Sequence, residues 1–285
     1  IIPIDLNLFN NQEIEDNGIE FSSIYQLFYN LKLDETVVKE LKIDDLNYAT
    51  IEFIIDDYKL KKEIYEWRIY NMTGDASVLD TYLEKALTPA LNKYKVKVGA
   101  FKLFKEESAV KRFYLFVYPS IETYHQVQKK IWEDKTYLAA SKTYFDQTAS
   151  APVYSHFDTY LCEAFDRLPV MLPAEKNSLL YELRIYKSPN EDANRRKVRM
   201  FNVEEIDLFH KKGIQSVCYG DILSGPEMPA LMYLTWNKNQ ESRDAAWKAF
   251  GSSEEWNKMK VKPEYANTAT RVESIYLAPL AYSQI

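Results

Sequence analysis

Tyr65-Glu66-Trp67-Arg68-Ile69-Tyr70 returns 116 residues later as Tyr181-Glu182-Leu183-Arg184-Ile185-Tyr186. Both copies alternate an apolar position with a charged or phenolic one, the period of a strand that shows a different character on each face. The same succession follows each copy: a helical pattern, two strand-like runs around a polar turn, a second helix and a last strand. Recurrence at a fixed spacing marks an internal repeat, and each repeat reads βαββαβ.

In the first repeat the strand begins at Ile64. Gly74 and Asp75 end it. Val78, Leu79, Tyr82, Leu83, Ala86, Leu87, Ala90 and Leu91 then recur at the three-to-four spacing of a buried helical stripe, with Pro89 expected to kink or shorten the last turn. Residues 96–104 and 112–118 form a hairpin, 120–132 a helix, and 154–162 the closing strand. The second repeat places strands at 180–186, 215–223, 230–236 and 270–278. Its helices fall at 190–212, ending at Gly213, and at 241–250. His156 and Arg271 take matching places in the two closing strands. Sheets with helices on one face must cover the other, so the two uncovered faces are expected to meet. This predicts an α+β fold. The expected domains are residues 61–168 and 169–285, preceded by an N-terminal extension, residues 1–60, in which residues 34–41 read as a helix and 48–58 as a strand or edge.

Two βαββαβ units in one chain, Tyr-Glu-Leu-Arg-Ile-Tyr at 181–186, Ser242-Arg243-Asp244 followed by Trp247-Lys248-Ala249-Phe250-Gly251, Glu254-Glu255-Trp256 and Arg271-Val272-Glu273 together resemble the NIPSNAP family. The resemblance spans residues 180–285 and extends more faintly over 64–165, where Trp67 replaces Leu, His156 stands for Arg271 and the Ser-Arg-Asp stretch has no counterpart. It implies two tandem ferredoxin-like units packed sheet to sheet as an intramolecular dimeric α/β barrel. It also implies kinship with tandem-domain bacterial proteins of unassigned activity, some carrying an export signal.

The composition sets outer limits. A net charge of −6 with dispersed basic residues argues against a nucleic-acid partner. The sequence has no run of 18 apolar residues, so no spanning helix is expected. The chain starts Ile1-Ile2-Pro3, compatible with a removed leader, and an exported location is favoured over a cytoplasmic one. Cys162 and Cys218 lie in apolar strand contexts and are expected as buried free thiols. No metal site is expected, since no spacing of His, Cys and carboxylates forms one, and no cofactor motif such as a P-loop or G-x-G-x-x-G occurs. With 7 glycines, a phosphate-cradling loop is not expected.

If the polar face of each first strand points between the sheets, Glu66, Arg68 and Tyr70 meet Glu182, Arg184 and Tyr186 there. Arg271 and Glu273 join from the closing strand as further ligand-binding candidates. His156 and Asp158 are the candidate catalytic residues, because their strand position would aim them at the interior and histidine is the commonest general acid and base. His125 and His210 read as helix-surface or capping residues. Two accounts stay open for the charged row: a ladder that shapes the barrel, or a pocket in which arginine holds an acidic ligand. The leading functional expectation is a protein that binds a small molecule or a protein partner. The alternatives are a cofactor-independent enzyme of monooxygenase or isomerase type with its site between the sheets, and a structural subunit docked by the extension. A homo-oligomer is compatible with each. A site is expected where the copies differ, at His156 against Arg271.

Overall fold

A computed structural model describes residues 62–105, 108, 110–176 and 178–285. The expectations for residues 1–60, including the helix at 34–41 and the strand at 48–58, lie outside the described residues. Among the described residues eight strands are interspersed with helices: β1 (Ile64–Met72), β2 (Lys97–Leu103), β3 (Lys111–Tyr118), β4 (Tyr154–Ala164), β5 (Leu180–Lys187), β6 (Gln215–Ser224), β7 (Ala230–Asn237) and β8 (Arg271–Pro279). The helices of the first half are α1 (Ser77–Tyr82), α2 (Thr88–Asn92), α3 (Ile121–Lys130), α4 (Lys135–Ala140) and α5 (Lys142–Phe145). Those of the second are α6 (Glu191–Met200), α7 (Ile206–Lys211), α8 (Gln240–Gly251) and α9 (Glu254–Met259).

The strands close into one barrel in the order β1-β3-β2-β8-β5-β7-β6-β4. Within each half the order is ferredoxin-like: closing strand, first strand, then the hairpin. Eight residue pairs join β1 to β3, and eight join β5 to β7. The halves meet along two shorter seams, Phe101 to Leu103 on β8 and Leu161 to Ala164 on β6. At the second seam a Cβ on Gly220 would stand 2.6 Å from Cys162 Cβ, so the close approach of β4 and β6 requires glycine there.

Local chemistry starts the helices where they begin. Ser120, Asn190 and Asn239 each accept a hydrogen bond from the backbone three residues on, and Asn239 forms a reciprocal capping box with Ser242. Between α1 and α2 the helix widens into a π-turn over Leu83–Leu87, and the second half has the same turn over Phe201–Glu205 between α6 and α7. Pro89 follows the first π-turn, at the start of α2, and does not end the helical run. The second copy of the turn occurs without a proline, so proline is not its cause.

Tyr65, Trp67 and Ile69 of β1 and Tyr181, Leu183 and Ile185 of β5 fill the barrel interior, together with Phe101, Phe113, Leu115, Met232 and Leu234. Glu66, Arg68, Tyr70, Glu182, Arg184 and Tyr186 therefore face the helices, opposite to the expectation that they line the space between the sheets. The register shows this directly, because Arg68 stands opposite Tyr114 and Arg184 opposite Tyr233, both of which pack under the helical layers. The physical reason is desolvation. The enclosed interior has room only for groups that need no water, whereas the helix layer leaves gaps where a guanidinium keeps partial contact with solvent. Cys162 and Cys218 are both buried and free, as expected.

Truncation inside the barrel is expected to cost far more than truncation outside it. Trp67→Ala, at a residue 1% exposed, should lower unfolding free energy by about 3–5 kcal/mol, and Val261→Ala, at 70% exposure, by less than about 0.5 kcal/mol. Equilibrium denaturation in urea measures both, and equal effects would contradict the interior packing described.

Candidate functional site

The two helix-facing rows are built alike and finished differently. In the second half Glu182 is fully buried and accepts from Arg243 Nε (2.8 Å), Arg243 Nη2 (2.9 Å), Arg184 Nη1 (3.3 Å) and the Ser274 hydroxyl. Arg184 lies 4.2 Å from the centre of the Trp247 ring. Arg243 and Trp247 both come from α8, four and eight residues after the cap Asn239. One carboxylate is thus clamped by two arginines, and an indole covers the Arg184 guanidinium.

In the first half Glu66 accepts from Arg68 Nε (2.6 Å) and from the Tyr118 hydroxyl (2.8 Å). Counting from the equivalent cap Ser120 on α3, the place of Arg243 falls to Tyr124 and that of Trp247 to Gln128. Nothing from α3 covers Arg68 as the indole covers Arg184. A cavity of about 210 Å3 opens there, lined by Arg68, Tyr70, Tyr118, Gln128 and an aromatic wall. Tyr137, Tyr144 and Phe145 of that wall come from α4 and α5, and Trp132 and Phe157 stand at its exposed rim. Tyr82 and Tyr144 stack with centroids 4.0 Å apart, and Phe157 stacks on Tyr70 at 4.7 Å. From the sheet, Phe116 supports the Arg68 guanidinium at 4.8 Å. The Arg68 side chain is 21% exposed and the Glu66 side chain 4%, so the pocket presents the cation while its counter-charge lies behind.

The pocket phenols hold their protons tightly. Burial pushes Tyr70 up to about 12 despite the opposing effect of Arg68 beside it. Burial also raises Tyr82, Tyr118 and Tyr144, Tyr118 with help from the Glu66 carboxylate. At neutral pH they are hydrogen-bond donors.

His156, Asp158, Arg271 and Glu273 occupy the opposite face of the sheet from the Glu and Arg rows, at one end of the barrel. The register pairs His156 with Asn71 and Arg271 with Lys187, so the two are equivalent and exposed. His156 Nε2 lies 3.1 Å from the Asn71 amide, and Nδ1 lies 3.0 Å from the Ser155 hydroxyl. Glu273 bonds Lys187 (2.7 Å) and Arg271 (2.8 Å), and Lys187 also bonds Glu227. Tyr160 is pushed up to about 12, first by burial and then by Asp158, Glu227 and Glu273. Sequence reasoning joined His156, Asp158, Arg271 and Glu273 to the Glu and Arg rows. The pleat separates them, because a direct cross-strand partner shares a face, and the partners of Arg68 and Arg184 on the closing strands are Thr159 and Ser274. Among the described residues no group of three or more His, Cys, Asp or Glu is placed to hold a metal ion. No helix among them is long and apolar enough to cross a membrane.

Residues 181–284, which include the Glu182 clamp, Trp247 and β8, match the NIPSNAP family profile. The second half of the chain is a NIPSNAP domain. Two solved structures share the whole barrel with the NIPSNAP domain and its partner half. A candidate monooxygenase from Lactobacillus acidophilus covers 77% of this chain and 94% of its own, at 7% identity and a TM-score of 0.52. A candidate monooxygenase from Fusobacterium nucleatum covers 77% and 93%, at 7% identity and a TM-score of 0.51. At that identity the likeness is one of fold, that of the dimeric α/β barrels. No curated protein matches the chain.

The residues that sequence reasoning missed are the pocket walls. Gln128 looks unremarkable until aligned with Trp247 from the helix caps. The run around Asp134 carried a readable signal, since its side chain caps α4 by accepting from Thr136 and Tyr137 backbone N–H groups.

Removing the clamped carboxylate is expected to harm the NIPSNAP domain more than the first half. Glu182→Gln leaves two arginines without their counter-charge and should cost about 3–5 kcal/mol, against about 1–3 kcal/mol for Glu66→Gln, which strands one. Denaturant midpoints at constant m-value compare the two. Stability should also fall at high pH. Tyr70, Tyr160 and Tyr181 keep their protons to about 12 in the fold, all chiefly through burial, while the unfolded chain ionises its tyrosines near 10. Their contribution is complete below pH 10 and is lost as pH rises to about 12. Melting temperatures and tyrosinate absorbance across that window check this, and a flat profile would contradict it.

Proposed function

We propose that this protein binds a small molecule, one carrying an acceptor or acidic group, in the first-half pocket, with Arg68 as the principal contact and Tyr70 as a second donor. The observation that carries the reading is the cavity of about 210 Å3 beside the Arg68 guanidinium, in the half that has no counterpart of the Trp247 indole lying on Arg184. With expected domains at 1–60, 61–168 and 169–285, the site belongs entirely to the middle one. Glu66 holds Arg68 in place from behind. Glu182, Arg184 and Tyr186 serve the architecture of the NIPSNAP domain, and His156, Asp158, Arg271 and Glu273 belong to the barrel rim.

The chemistry of the lining favours binding over acid–base catalysis. Among the described residues that line the pocket there is no His, Cys, Ser, Asp or Glu, and burial keeps the protons on Tyr70, Tyr82, Tyr118 and Tyr144. The groups that remain are one cation, hydroxyl donors and aromatic faces, a set that recognises an acceptor and a flat apolar body.

Titration calorimetry against a panel of small organic acids tests this. Arg68→Met is expected to weaken binding at least tenfold, as loss of a charged hydrogen bond implies. Arg184→Met is expected to lower the melting temperature and leave affinity unchanged. Affinity lost in Arg184→Met and kept in Arg68→Met would overturn the assignment.

A further inference from the structure

The NIPSNAP domain offers an internal template for whatever occupies the first-half pocket. The capping residues Ser120 and Asn239 hold corresponding backbone amides, and eight residues beyond them stand Gln128 and Trp247. In both halves the following buried contact is kept, Ile131 in one and Phe250 in the other, so the two helices run in register over their sheets. In the second half the Trp247 indole sits on Arg184. In the first half the wall beside Arg68 is aromatic on other sides, but the helix position that supplies the indole carries glutamine.

We infer that the ligand is a single aromatic ring bearing a carboxylate, whose carboxylate pairs with Arg68 and whose ring fills the space beside it that the Trp247 indole fills beside Arg184. This rests on the proposed binding site and specifies the chemistry it takes. Three observations set the class. The cavity, at about 210 Å3, falls below the roughly 300–1,000 Å3 of drug-sized sites, which limits the guest to one ring and a short substituent. The Tyr82–Tyr144 pair and the Phe157–Tyr70 pair form flat walls that suit a planar guest. Arg68 faces the pocket with Glu66 buried behind it, and the Tyr70 phenol stands beside it as a donor, so an anionic oxygen at the ring's end finds both a charge and a hydroxyl.

The probes are 4-hydroxybenzoate and its saturated counterpart, 4-hydroxycyclohexanecarboxylate, titrated calorimetrically into the whole protein. 4-Hydroxybenzoate should bind one to one and at least tenfold more tightly than the saturated acid. Gln128→Trp places an indole where the NIPSNAP domain has one, and should abolish 4-hydroxybenzoate binding while leaving the circular dichroism spectrum unchanged. Gln126→Trp, the same change at an exposed position of α3 outside the pocket lining, should bind as tightly as the parent protein. Equal affinity for the two acids would overturn the aromatic class and leave the small-acid site standing. Full binding by folded Gln128→Trp would overturn the template argument. Absence of binding by either acid would overturn the inference, and the wider acid panel with Arg68→Met then decides the site by itself.

Discussion

Everything in this fold depends on closing a sheet whose interior must be dry. Eight strands each find two neighbours, so backbone donors and acceptors are satisfied around the ring. The two seams are shorter than the pairings within each half. Their strength comes from what stands behind them: a continuous interior of aromatic and aliphatic side chains drawn from both halves. That demand expels the charged alternation of β1 and β5 to the helix side. The candidate site is a consequence of this displacement, because a guanidinium placed under a helical layer needs either a cover or a guest.

The halves answer that need in two ways. In the NIPSNAP domain the second helix returns an arginine and a tryptophan, and the Glu182 carboxylate held by that arginine has no exposed surface. In the first half two short helices, α4 and α5, bring an aromatic wall from the side and leave a recess beside Arg68. Equivalent positions on one scaffold thus hold opposite roles, one completing a core and one lining a recess.

Much of this was legible before the structure. The spaced Glu-x-Arg-x-Tyr copies gave the repeat, the repeat gave the βαββαβ order, and the equivalence of His156 with Arg271 survives in their pairing with Asn71 and Lys187. The side each face would take was not. Strict alternation says that a strand has two characters and is silent about which is enclosed. The deciding contrast was between Trp67 with Ile69 and Arg68 with Glu66, and the cost of burying charge away from water favours the former inside. The recess stayed invisible for a different reason. Its walls come from residues scattered between positions 70 and 157, and its opening is the absence of a large side chain at 128, which a periodicity search does not register.

The peptide that runs from β4 to β5 has a meaning beyond topology. Were the two halves separate copies of one polypeptide, related by a symmetry axis, every substitution would appear twice, and opening a recess in one would hollow out the other. Joined in a single gene product, the halves are released from that constraint. One can keep the rigid tryptophan cover that secures the scaffold while its sibling drifts toward recognition, so the covalent link converts an architectural duplicate into an opportunity for specialisation.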